Sequence, residues 1–216
     1  MNTTVTRRPE RTRRTNRRRA RDIVAEFRRE SILEAARTVF ARHGFENATV
    51  QLIARAAGLA KGTLYLYYPS KSAIYSAAVV EGLRDLAQES ARVLASGGDI
   101  QQLLRDFFMT RLRYFEERAD FFRIYSVELG NLGRAAAHIR HEYTRLYGLQ
   151  VESLALALEA AMRSGRVRDV DVRTIATVAL DLSHALVVRH LRGVTKRPES
   201  EVDAVLDLLW KGIERQ

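Results

Sequence analysis

The chain has 216 residues, no cysteine, only three prolines and a formal net charge of +10. That length supports one or two domains with a sizeable core, and the missing cysteine excludes disulfides, thiolate catalysis and cysteine-ligated metal. No apolar run is long enough to span a bilayer, because the best stretch, residues 174–191, is interrupted by Asp181, His184 and Arg189. The N-terminus is basic but has no apolar segment behind it, unlike a secretory signal. A cytoplasmic protein with no membrane partner is expected.

The charge is unevenly placed. Residues 1–29 hold 11 arginines against 3 acids, residues 30–75 hold 5 basic against 3 acidic side chains, and residues 76–216 hold 20 of each. Residues 1–21 are polar and arginine-rich, with almost no large apolar side chain. That composition predicts a disordered arm, since it cannot bury enough surface to fold alone. From about Asp22 the pattern changes. Ile32, Leu33, Ala36, Val39 and Phe40 recur at helical spacing until Gly44 stops the run. Thr49 is placed to cap a helix over residues 50–57. A second short helix is expected over residues 61–67, ended by Pro69, and Ser70 caps a third that runs to about Leu94.

The spacing between those elements is the most informative part of the chain. Ala54 precedes Gly58 by four positions, and Leu64 follows it by six. A small residue lets a second helix approach, the glycine makes the turn, and the bulky apolar residue locks the second helix onto the first. This is a helix-turn-helix pattern, and the arginine-rich end beside it suits a phosphate partner.

Beyond residue 95 every segment prefers helix. Breaks at residues 96–99, 130–133 and 164–165, and at Gly193 and Pro198, separate helices over about 100–117, 119–129, 134–162, 171–192 and 199–215. The predicted fold is all-α: an N-terminal three-helix head over residues 22–75 and a C-terminal helical bundle over residues 76–216.

Residues 28–78 resemble the DNA-binding head of TetR-family transcriptional regulators. The resemblance rests on Ile32-Leu33-Glu34-Ala35-Ala36 with Phe40, on Thr49 with Ile53-Ala54 and Ala57-Gly58, and on Lys61-Gly62-Thr63-Leu64-Tyr65-Leu66-Tyr67-Tyr68 followed by Ser70-Lys71. It implies a homodimeric repressor that binds a near-palindromic double-stranded operator and is released by a small, largely apolar ligand held in the C-terminal bundle. It also implies that Thr49, Tyr65, Tyr67 and Lys71 touch phosphates, while Lys61, Gly62, Thr63 and Leu66 face base edges. The chain departs from the family pattern at Ala60, where a serine often caps the second helix, and at Ser72, where a glutamate is usual.

These residue types suit their expected work. Lysine can bond guanine N7 and O6, threonine can meet a base edge or a thymine methyl, and tyrosine hydroxyls reach phosphate oxygens. Leu64 and Tyr68, four apart, fit the interior of the head.

In the bundle, Phe107, Phe108, Tyr114, Phe115, Phe121, Phe122 and Tyr125 fall on two consecutive helices, with Tyr143 and Tyr147 on the next. Any one of them reads as core, and together they could wall a cavity. The candidate ligand residues are Phe108, Arg111, Phe115, Phe122, Tyr125, His138, Tyr143 and His184, with Glu128 as a further polar group. His138 and His141 are three apart beside Glu142, a spacing too common on helices to define a metal site, and no cofactor is expected. Two apolar stripes on helix 171–192 and a further one on helix 199–215 exceed what one core face needs. Leu180, Val187, Leu191, Leu206, Leu209, Trp210 and Ile213 are therefore expected at a two-fold dimer interface. No paired carboxylates, nucleophile–base set or phosphate loop emerges, so an enzyme is not expected. The alternative is a non-specific architectural DNA-binding protein driven by the arginine-rich arm.

Overall fold

A computed structural model describes residues 10–130 and 136–214, and among these the chain forms nine helices and no β-sheet. They are α1 (Glu10–Asn47), α2 (Val50–Ala56), α3 (Lys61–Tyr65), α4 (Lys71–Ala95), α5 (Ile100–Glu117), α6 (Ala119–Gly130), α7 (Ala137–Arg163), α8 (Val172–Leu191) and α9 (Pro198–Ile213). The chain divides into two compact units, Met1–Ala78 and Val79–Gln216, and α4 runs through the division. The expected break over residues 130–133 and the expected start of the next helix at residue 134 fall largely outside the described residues.

In the first unit, α1 is interrupted at Gly44, whose φ of 68° leaves the helical region where the sequence pattern stops. Its apolar face buries Ile32, Leu33, Ala36, Val39 and Phe40, with Ile53, Leu64 and Ile74 completing the core. Phe45 packs near Phe40 and Tyr75, its ring centroid 5.1 Å from that of Tyr75. One expectation is corrected here. The helix already runs from Glu10, so residues 10–21 are helical and not a disordered arm; residues 1–9 lie outside the described residues. Composition shows that these residues bury nothing. It does not show that a helix nucleated by the packed turns downstream extends cheaply through arginine and alanine, both good helix formers.

The second unit is built by α5–α9 and the distal part of α4. Phe107, Phe108, Tyr114, Phe115 and Phe121 are each at most 2% exposed, so the aromatic cluster is mainly core. The Phe115 and Phe121 rings stack with centroids 5.8 Å apart. Gly82 on α4 sits against the Phe121 ring: a Cβ built there would come under 3.0 Å from three ring atoms. The Tyr114 hydroxyl donates to the Gly82 carbonyl at 2.9 Å, which pins the same close approach. Asp99 and Asp171 cap α5 and α8 through main-chain N–H groups of their first turns.

Candidate DNA-contact surface and buried cavity

The helix-turn-helix geometry follows from its turn. Ala57 ends α2, Gly58 takes φ of 65°, and two bonds close the motif: Leu59 N–H to the Ala54 carbonyl at 2.8 Å and Gly58 N–H to the Arg55 carbonyl at 3.1 Å. This is the Schellman arrangement, which satisfies the last carbonyls of a helix and favours glycine at the left-handed position. Leu64 is fully buried and anchors α3. Tyr68, expected in the interior, is half-buried.

With Leu64 inward, the other face of the second helix turns to solvent. Lys61, Gly62, Tyr65 and Leu66 are exposed, Leu66 at 82%, and Thr63 and Tyr67 are half-buried. The Arg29 guanidinium lies 5.9 Å from the centre of the Tyr67 ring. Helix α3 is shorter than expected. It ends at Tyr65, and Leu66 and Tyr67 continue it as a tighter turn, with bonds to the Thr63 and Leu64 carbonyls. Ala60 supplies no side-chain cap. Thr49 is exposed, and its Oγ1 accepts the Leu52 N–H at 3.2 Å, so its own hydroxyl proton stays available.

Lys71 does not join this surface. Its Nζ donates to the carbonyls of Phe45, Glu46 and Ala48 at 2.7, 3.1 and 3.1 Å, and lies 4.5 Å from the centre of the Phe45 ring. An ammonium has three N–H donors, and all three are used. In place of the expected phosphate contact, the Lys71 side chain here closes the main-chain carbonyls that follow Gly44, the groups a helix end leaves open.

Within the second unit, four of the expected ligand residues meet. Arg111, Tyr125, Tyr143 and His184 line one small cavity, about 40 Å³ in volume, with Leu83, Leu86, Leu146, Tyr147, Gln150, Leu180 and Asp181. The other expected ligand residues lie elsewhere. Phe108, Phe115 and Phe122 are buried in the aromatic core and do not line this space, although their spacing puts them on the same helix faces as Arg111 and Tyr125. His138 is exposed near the start of α7, away from the lining. The cavity is also more polar than an apolar ligand requires. Gln150 and Asp181 were missed, and Tyr147 was counted among the wall aromatics but not among the ligand residues; Tyr147 and Gln150 lie four and seven residues after Tyr143, on the same face of α7, and that spacing was the available signal.

The electrostatics of the cavity are one-sided. Arg111 is 3% exposed. Its Nη1 donates to Gln150 Oε1 at 2.5 Å, and its Nε has no partner. Among the described residues no carboxylate lies within ion-pairing distance of it. Burial lowers its pKa from the ordinary arginine value, and more distant attraction from Tyr125, Tyr143 and Asp181 opposes that. The Tyr125 hydroxyl and His184 Nδ1 are 3.4 Å apart. Burial, with the Arg111 charge nearby, pulls His184 down to about 4, so the ring is neutral at pH 7. Burial raises the Tyr125 hydroxyl well above its ordinary value and also raises Tyr143. Tyr147, which donates to Asp181 at 2.9 Å, is pushed up to about 12 by burial and by that bond.

The expected dimer residues divide. Leu180, Val187 and Ile213 are buried in the core of their own chain, which leaves them no surface for a partner copy. The two-stripe reading of α8 merged an inward and an outward face. Leu206 and Trp210 line an open groove between α9 and α5, while Leu191 and Leu209 are half-buried. The exposed apolar residues are Val178 and Ala185 on α8 and Leu208 on α9, with the half-buried Leu182 and Val205 beside them in sequence register.

An exposed second helix on a helix-turn-helix, in a chain whose other unit is a helical bundle around a buried cavity, defines a helix-turn-helix transcriptional regulator. Residues 32–78 match the family described as "Bacterial regulatory proteins, tetR family". The transcriptional repressor KstR2 of Rhodococcus jostii is 31% identical over 147 residues, covering 67% of this chain and 71% of its own length. The transcriptional repressor AcnR of Corynebacterium diphtheriae is 26% identical over 192 residues, covering 87% and 92%. The structure of the TetR-family regulator PfmR of Thermus thermophilus superposes with a TM-score of 0.68 at 29% identity, covering 85% of this chain and 99% of that one. The chain belongs to the TetR family: it is a DNA-binding transcriptional repressor and not an enzyme. The alternative of a non-specific architectural protein is not favoured. No described helix is long and apolar enough to cross a membrane.

Proposed function

We propose that the protein acts in the cytoplasm as a homodimeric repressor that leaves its operator when a small molecule occupies the cavity lined by Arg111, Tyr125, Tyr143 and His184. The observation that carries the DNA side is the solvent-facing row Lys61, Gly62, Tyr65 and Leu66 on a helix held from behind by the buried Leu64. In this reading Lys61, Gly62, Thr63 and Leu66 face base edges, and Thr49, Tyr65 and Tyr67 hold phosphates.

The dimer reading draws on the outward row Val178, Leu182, Ala185, Val205 and Leu208. Leu208 is 73% exposed, and the Arg189–Glu201 pair joins α8 to α9. A two-fold axis there would separate the two recognition helices by about 34–36 Å or a multiple of one DNA turn. Release follows from linkage: the ligand must bind the arrangement that does not hold DNA more tightly than the one that does. Helix α4 carries Lys71, which braces the head, at its start and Leu83 and Leu86 of the cavity wall further on.

Binding of the protein to its own upstream intergenic DNA and to scrambled DNA of equal length, at moderate salt, tests the reading. A clear preference for the upstream DNA is expected, with Leu208→Glu giving a monomer by sedimentation. Equal affinity for both DNAs would overturn the operator assignment.

A further inference from the structure

We infer that the cavity in the second unit is a site for a small organic carboxylate, with Arg111 as the residue that binds its carboxyl group. The inference rests on the reading of that unit as an effector domain and names the class of effector.

The starting point is a charge without a counterion. A guanidinium stays protonated in proteins, and Arg111 is 97% removed from solvent with one hydrogen-bond partner, the neutral Gln150, the Phe107 ring centre 5.5 Å from its guanidinium carbon, and an orphaned Nε. Buried charges are ordinarily paired, and buried polar atoms ordinarily bonded. Asp181, the carboxylate at this cavity, has its Oδ1 engaged by Tyr147. The unpaired Nε–H belongs to a planar fork that matches two carboxylate oxygens. Around it, Tyr125 and Tyr143 keep their protons, which a ligand oxygen would have to draw away from the Tyr125–Tyr143 bond and the Tyr125–His184 contact.

The balance of charge selects the anion. The lining carries one positive and one negative charge, but Asp181 is exposed and bonded to Tyr147, so the buried guanidinium still lacks a negative partner beside it. A phosphate dianion would leave an excess negative charge in a desolvated space, which is costly. Leu83, Leu86, Leu146 and Leu180 supply an apolar wall for the rest of the acid.

The test uses the full-length protein, with calorimetric titration and thermal unfolding. The probes are octanoate and benzoate, their neutral counterparts octan-1-ol and benzyl alcohol, and inorganic phosphate. At least one acid should bind ten-fold or more tighter than its alcohol and raise the unfolding temperature, and phosphate should do neither. Arg111→Met should abolish that preference, while its unliganded unfolding temperature stays equal to or above that of the wild type, because a buried unpaired charge has been removed. Arg111 as a purely structural residue would give the opposite stability result. If Arg111→Met does not fold, the acid–alcohol comparison on the wild type still decides, with Tyr125→Phe expected to weaken the acid several-fold. Acids binding no better than alcohols, or phosphate binding as tightly as the acids, would overturn the assignment. A DNA-retention assay run in parallel separates the two readings: Arg111-dependent acid binding without DNA release would defeat the release mechanism and leave the carboxylate site standing.

Discussion

Lys71 in the head and Arg111 in the bundle are both drawn out of bulk water, and they are treated in opposite ways. Lys71 meets three carbonyls with three donors and an aromatic face besides. Arg111 is more deeply buried and also lies against an aromatic face, Phe107, yet it has one hydrogen-bond partner and an unused N–H. A cation whose every donor is spent is part of the scaffold. A cation left short of partners in a cavity is free to serve a visitor. Residue type and local sequence do not distinguish the two cases; the acceptors around each do.

That contrast can be broken at several points. Gly82→Ala should have the largest effect, because the Cβ would strike the buried Phe121 ring from a main chain already pinned by Tyr114. A loss of about 3 kcal/mol by urea unfolding is expected; a neutral result would mean that the packing beside the cavity yields readily. Lys71→Ala should cost about 2–3 kcal/mol by freeing three carbonyls, and should weaken operator and random DNA alike in step with the lost stability. Weaker DNA binding at unchanged stability would return Lys71 to the phosphate surface.

His184 tests the cavity through pH. Its folded pKa of about 4 lies below the ordinary value of 6.5, so its contribution to stability is present above pH 6.5 and is lost as pH falls towards 4. The groups facing it are Arg111 on α5, Tyr125 on α6, Tyr143 and Tyr147 on α7, and Asp181 on its own helix. The wild type should lose about 2 kcal/mol more than His184→Gln between pH 7 and pH 4, read from urea midpoints. Equal losses would remove the neutral histidine from the account. The smallest effect belongs to Lys61→Ala. It should leave stability unchanged and reduce base discrimination by about 1 kcal/mol, measured as the ratio of operator to random affinity.

The head was largely legible because its logic is local. The Ala54, Gly58 and Leu64 spacing, the Thr49 and Ser70 caps and the missing cap at Ala60 are all features of neighbours in sequence, and the structure places each as expected. Lys71 was not legible, since its acceptors lie 23 to 26 residues earlier and meet it only through the fold. In the bundle, composition announced an aromatic core but not which face of α5 and α6 would be hollow. Phe108 and Arg111 are one helical turn apart, and one lies in the solid core while the other lines the cavity. On α8 the hydrophobic pattern was wide enough for two faces, but it could not say that Leu180 and Val187 turn inward and Val178 outward.

Gly58 selects for handedness. A Cβ built there meets nothing within 4 Å, so bulk is no obstacle; φ of 65° is what L-residues resist. The mirror-image amino acid prefers that very region. A chemically synthesised head carrying D-alanine at this one position would keep the turn and shed some of the freedom that glycine gives the unfolded chain, whereas L-alanine, identical in composition, would strain the same turn. The angle between α2 and α3 thus hangs on one residue without chirality, at the turn between them.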